Sequence, residues 1–128
     1  MGKYRFRKWE RISRKKTVNK LFEGGAKSFC IHPIRMVYAE MEEKVSPVSV
    51  LIAVPKRKIK RAVDRNRIKR QIREAYRTQK NDLIELVKER DKRLIIGFIY
   101  VDSELYSSQQ IDECINSLLL YLIEKQQS

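Results

Sequence analysis

Hydrophobic positions follow two periods along the chain, and the switches between them divide it into elements. Val18, Leu21 and Phe22 recur at i, i+3 and i+4, which predicts a short helix with Ser13 as its N-cap, stopped at Gly24-Gly25. Residues 28–31 and 34–41 read as strands, kinked at His32-Pro33 because proline has no N–H to give to a ladder. Glu42, Glu43 and Lys44 form a polar turn ahead of Pro47. Residues 48–54 are a nearly unbroken β-branched run, the pattern of a strand covered on both faces, and Pro55 ends it. Helical spacing returns at Ile68, Ile72, Ala75 and Tyr76, predicting a helix from about residue 62 to residue 77 or slightly beyond. Leu83, Leu86 and Val87 mark a second short helical piece, with Asn81 or Asp82 as its cap. Residues 94–101 are another buried strand. Ser107, with Gln110 three positions on, is a candidate capping box for a last helix. Its stripe of Ile111, Ile115, Leu118, Leu119 and Leu122 is broad enough to face a core.

Helix, strands, helix, strand, helix is the order of an α+β domain, two layers deep, with helices packed on a small sheet. At 128 residues one domain is the natural count, residues 1–128 throughout. A chain of that size hides about two-thirds of its extended surface on folding. Strand 48–54, the helix and strand 94–101 form a βαβ candidate, for which the general rule expects a right-handed crossover.

Charge changes the picture. The net charge is +13, and residues 56–77 alone hold eleven Lys or Arg against Asp64 and Glu74. Residues 1–20 hold nine bases against Glu10, so the rest of the chain is mildly acidic. In the helix the apolar stripe lies on one side, and Asn66, Lys69, Arg70, Arg73 and Arg77 on the other. A disordered basic tail has no reason to keep such a stripe. One face of this helix packs on a body, and the other offers charge to a polyanion. Residues 1–11, with Tyr4, Phe6 and Trp9 among the bases, read as an arm able to lie on RNA, or as a solvated tail.

Membrane is the weaker polyanion. The apolar runs fall well short of the about 20 residues of a span, and the N-terminal stretch has no apolar signal region. A cytoplasmic protein is expected. Cys30 and Cys114, 84 positions apart without a second ligand nearby, read as buried thiols, and His32 as a strand-end residue without a ligand role. No paired carboxylates, no Ser/His/Asp order and no metal-ligand spacing appear, so no catalytic residue and no metal ligand is assigned. Asp64 and Glu74 read as local charge partners of neighbouring arginines.

Ala62-Val63-Asp64-Arg65-Asn66-Arg67-Ile68-Lys69-Arg70, followed by Ile72-Arg73-Glu74-Ala75, resembles the RNR motif of the bacterial ribonuclease P protein family. The likeness extends upstream through Ile12, Val18, Phe22, Gly24-Gly25 and Tyr38, with Val18 where the family usually has an aromatic. Before the helix, residues 55–63 stand for a family segment whose glycine is here Lys60, in a turn one residue longer and more basic.

The resemblance implies the order α-β-β-β-α-β-α, a small, mostly antiparallel sheet, and a left-handed βαβ crossover in place of the usual hand. It implies a protein subunit of the endoribonuclease that removes 5′ leaders from precursor tRNA, with the hydrolysis performed by a catalytic RNA and its bound Mg²⁺. The implied partners are that RNA and precursor tRNA, with no protein oligomer required. Lys56, Arg57, Lys58, Arg61, Arg65, Asn66, Arg67, Lys69, Arg70 and Arg73 would face the catalytic RNA and its phosphates. Asn66 is alternatively a helix cap. Val18, Phe22 and Tyr38 would line a cleft for the single-stranded leader, although the spacing of Phe22 with Val18 and Leu21 also suits a core residue. A ribosomal-type RNA-binding protein is the rival reading. A helix-turn-helix DNA binder is disfavoured, because a strand and not a helix precedes the basic helix.

Overall fold

The computed structural model describes residues 26–40 and 48–127. Its elements are β1 (Lys27–Ile31), β2 (Ile34–Glu40), β3 (Val48–Ala53), α1 (Ala62–Gln79), α2 (Asn81–Glu89), β4 (Leu94–Tyr100) and α3 (Ser108–Gln127). The expected arm, the helix around Val18 and Phe22, and the turn before Pro47 lie outside the described residues.

The four strands form one sheet in the order β1-β2-β4-β3. β2 pairs antiparallel with both β1 and β4, whereas β3 runs parallel to β4. The sheet is therefore mixed, with its one parallel pair where the βαβ unit is expected. Alternation sorts the side chains. Ile34, Met36 and Tyr38 of β2, Val48 and Val50 of β3, and Ile96, Phe98 and Tyr100 of β4 share the main core with the three helices. Val37, Ala39 and Ile95 form a smaller cluster on the other face.

α1 and α3 bury the residues that their spacing selects, whereas α2 buries Leu83 and Val87 but Leu86 only partly. α1 buries Ile68, Ile72, Ala75 and Tyr76, and α3 buries Ile111, Ile115, Leu118, Leu119 and Leu122, with Cys114. α2 follows α1 after Lys80 and is capped by no side-chain hydrogen bond, so neither Asn81 nor Asp82 has the capping role expected of it. The backbone of Lys80 is already helical, and the two helices run on almost without a break. α2 ends in a Schellman motif: Asp91 N–H donates to the Lys88 carbonyl at 3.1 Å and Lys92 N–H to that of Val87 at 3.0 Å. Asp91 takes the left-handed position, with φ 53°.

The capping box at α3 is present in both directions. Gln110 N–H donates to Ser107 Oγ at 3.1 Å, and Ser107 N–H to Gln110 Oε1 at 3.0 Å. Ser107→Ala is expected to cost about 1 kcal/mol, read as a lower urea midpoint at unchanged m-value.

Edge position corrects two expectations. β3 lies at an edge, so Val48, Ser49 and Val50 are buried but Leu51, Ile52 and Ala53 only partly. Cys30 lies on the other edge strand and is exposed, whereas Cys114 is buried. The Cys114 thiol donates to the Ile31 carbonyl at 3.1 Å, and burial pushes its pKa up to about 11, which leaves it protonated and unreactive.

Candidate nucleic-acid interface

The basic face begins in the turn before α1. The Pro55 carbonyl accepts from both Lys58 N–H and Ile59 N–H at 3.1 Å, and the buried Ile59 anchors the loop. Asp91 is the only non-glycine residue with positive φ among the described residues, so this turn closes around Lys60 without the conformation that a glycine would ease. Lys56, Arg57, Lys58, Lys60 and Arg61 all stand exposed on it.

Arg65 spends part of its fork internally. Its Nη1 donates to the Ile59 carbonyl at 3.0 Å and the Lys60 carbonyl at 2.8 Å, tying the basic turn to the start of the helix. Arg65 is half-buried in consequence. Asn66 is exposed and lies past the first turn of a helix that starts at Ala62 and has Arg61 in the cap position, so the capping role is excluded. Arg67, Arg70 and Arg73 are exposed and Lys69 is half-exposed. Arg67 lies close enough to the end of β4 to act electrostatically on Tyr100, whose phenol burial pushes well above its ordinary range.

The two acids answer to nearby arginines. Arg61 Nε stands 3.9 Å from Asp64 Oδ2, and Arg77 Nε donates to Glu74 Oε2 at 3.1 Å. The hydrogen bond from Arg77 holds the Glu74 carboxyl below its usual range. Arg77 is thereby neutralised locally, and among the described residues the charge on offer is concentrated between residues 56 and 73.

Of the three expected leader-cleft residues, Val18 and Phe22 lie outside the described residues. Tyr38 is only 6% exposed, in the main core. Burial, then a hydrogen bond shared with Tyr121, pushes its pKa up to about 12. Tyr121 also stacks on Phe29, with ring centroids 3.7 Å apart.

The structure also gathers a polar cluster that no sequence spacing announces. His32 Nε2 lies 2.7 Å from Asp102 Oδ2, and the same carboxylate accepts from the Tyr106 hydroxyl and from Ser103 N–H. Those donors, Tyr106 first, hold Asp102 well below the usual carboxylate range. The nearby Cys114 thiol is turned to backbone carbonyls and kept protonated, so the cluster ties the β1–β2 turn to the segment after β4 and presents no activated nucleophile.

A basic, arginine-rich helix face with a clamped basic turn ahead of it suits phosphate recognition, because planar guanidinium forks pair with phosphate oxygens in two-pronged fashion. The ribonuclease P protein component of Porphyromonas gingivalis strain W83 is 36% identical over 114 residues, covering 88% of this chain and 82% of that one. That of Chlorobaculum tepidum is 47% identical over 58 residues, 42% of this chain and 38% of that one. The solved structure of the Staphylococcus aureus RNase P protein superposes with a TM-score of 0.72 at 20% identity, covering 88% of this chain and 94% of that one. The family model described as Ribonuclease P matches residues 6–121, and the chain belongs to the ribonuclease P protein family.

Proposed function

We propose that this chain serves as the protein subunit of a bacterial ribonuclease P, the ribonucleoprotein endonuclease that matures the 5′ end of tRNA. The observation that carries the reading is the two-sided α1: Ile68, Ile72, Ala75 and Tyr76 packed into the core, with Asn66, Arg67, Arg70 and Arg73 exposed opposite them. That face, with Lys69, the fork of Arg65 and the turn residues Lys56, Arg57, Lys58 and Arg61, binds the catalytic RNA through its phosphates. Asn66 adds an amide that can both donate to and accept from ribose hydroxyls. The family match over residues 6–121 disfavours a ribosomal-type protein.

The 5′ leader of precursor tRNA lies in a cleft walled by Val18, Phe22 and Tyr38, Tyr38 acting from within the core. The chain works in the cytoplasm, where bacterial precursor tRNA is made; among the described residues no helix is long and apolar enough to cross a membrane. Among the described residues no three His, Cys, Asp or Glu side chains gather where a metal ion could sit. The Mg²⁺ of the reaction is held by the RNA and its substrate, and this chain contributes fixed positive charge.

Reconstitution tests the reading. Added to ribonuclease P RNA from the same organism, the protein is expected to lower the Mg²⁺ concentration needed for leader cleavage, because its side chains replace part of the divalent screening. Protein alone should leave precursor tRNA intact. An unchanged Mg²⁺ requirement, or cleavage by highly purified protein without RNA, would sink the assignment.

A further inference from the structure

α1 and α3 are held together by two amide rungs. Gln71 Nε2 donates to the Tyr106 carbonyl at 3.1 Å and to Ser108 Oγ at 3.2 Å, and Gln79 Nε2 donates to Asp112 Oδ1 at 3.0 Å. Beside the first rung the seam opens into a groove of about 660 Å³, within the roughly 300–1,000 Å³ typical of ligand clefts. The Gln71–Ser108 rung, which lines the groove, holds α3 against α1 there before any partner arrives, which lowers the ordering cost of binding.

Its polarity is graded. Arg67 and Arg70 line the groove together with Glu74, four residues beyond Arg70 on α1, while Gln109 and Asp112 of α3 supply polar groups opposite. Seven residues of helix separate Arg67 from Glu74, a rise of about 10 Å. Glu74 is kept ionised by Arg77, and Asp112 retains acceptor capacity beyond its bond from Gln79. A tract for continuous phosphate backbone would be basic along its whole length. Here an anion is welcome at the arginine end, whereas at the other end Glu74 is already paired with Arg77 and the Asp112 carboxylate wants a hydrogen-bond donor instead.

We propose that this groove holds one unpaired nucleotide of the RNA partner. Its phosphate sits on Arg67 and Arg70 beside Gln109, and a donor-bearing edge, the ribose 2′-hydroxyl or an exocyclic amine, faces Asp112. The proposal rests on the assignment of α1 as the RNA-facing helix and extends that interface to the first turns of α3. Arg67 and Arg70 alone would serve a phosphate anywhere on the helix; the carboxylate end makes the site one for a nucleotide in a single orientation.

The test compares three charge changes in binding to the ribonuclease P RNA. Gln109→Glu places a carboxylate beside the bound phosphate and is expected to weaken binding by roughly tenfold, since like charges at an interface are strongly unfavourable. Gln127→Glu, the same change near the far end of the same helix, is expected to leave affinity within about twofold, in keeping with screening over about 8 Å. Equal, small effects of these two, with Arg70→Glu still strongly weakened, overturn the groove and leave the helix assignment standing. If Arg70→Glu is also without effect, the helix assignment itself fails. Amide chemical shifts of Ser108 and Gln109 under titration with AMP, dAMP and inorganic phosphate identify the donor. A larger response to AMP than to dAMP assigns the 2′-hydroxyl, and equal responses to both, larger than to phosphate, assign the base. Three equal responses mean a phosphate site only and overturn the nucleotide.

Discussion

Arg67→Glu or Arg70→Glu is expected to weaken binding of the catalytic RNA by about 1.5–3 kcal/mol for each charge-assisted hydrogen bond removed, or roughly 10–150-fold. Both side chains are exposed on the face opposite the buried stripe, so reversal there costs little stability. Lys88→Glu and Lys125→Glu make the same change in net charge from exposed positions on α2 and α3, outside both basic blocks. Their influence reaches bound RNA only through solvent, where screening acts over about 8 Å at physiological salt. The salt dependence separates the cases further. Removing one arginine–phosphate pair should flatten the slope of log K against log salt by roughly one unit, and the two control lysines should not change it. Equal losses of affinity at all four positions would mean that binding follows net charge and that the face of α1 has no special part in it.

That face is legible because two periodicities coincide in one stretch. The apolar stripe at Ile68, Ile72, Ala75 and Tyr76 fixes which side of α1 is buried, and the arginines then have nowhere else to point. The central strand is legible for a similar reason: β4 lies inside the sheet, and its unbroken apolar run follows from burial on both faces. Edge strands are not. Nothing in the residues near Cys30 says that β1 turns it, together with Arg35, to the face away from the main core at the sheet's edge, where the thiol is exposed. The same holds for bonds between distant residues. His32 and Asp102 meet across 70 positions, and Gln71 and Gln79 reach α3 across more than 30. Glutamines on the flank of a helix carry no periodic signal. Arg65 is the intermediate case: the motif marks it as a basic residue, but only the structure shows its fork closing the turn onto the carbonyls of Ile59 and Lys60.

Tyr38 is where packing and substrate binding must be separated. Its ring is nearly sealed in the main core and its hydroxyl is shared with Tyr121, so Tyr38→Ala is expected to cost about 3–5 kcal/mol of stability, by analogy with other buried aromatics. Tyr38→Phe keeps the ring and removes only one hydrogen bond, a change of about 1 kcal/mol. As part of the leader cleft, the ring should contribute a further term that a melt does not report. Tyr38→Ala should then lose about 1–3 kcal/mol of affinity for leader-bearing precursor, while mature tRNA, which has no leader to stack, is bound as before. Tyr38→Phe should bind both as the parent does. The measurement is a pair of affinities for each variant, taken well below its melting temperature so that the folded fraction stays near one. Association with the catalytic RNA, carried by α1, serves as the internal control and should survive both changes. A loss shared equally by precursor and mature tRNA would leave Tyr38 with its packing role alone, and the leader cleft would then have to be built without it.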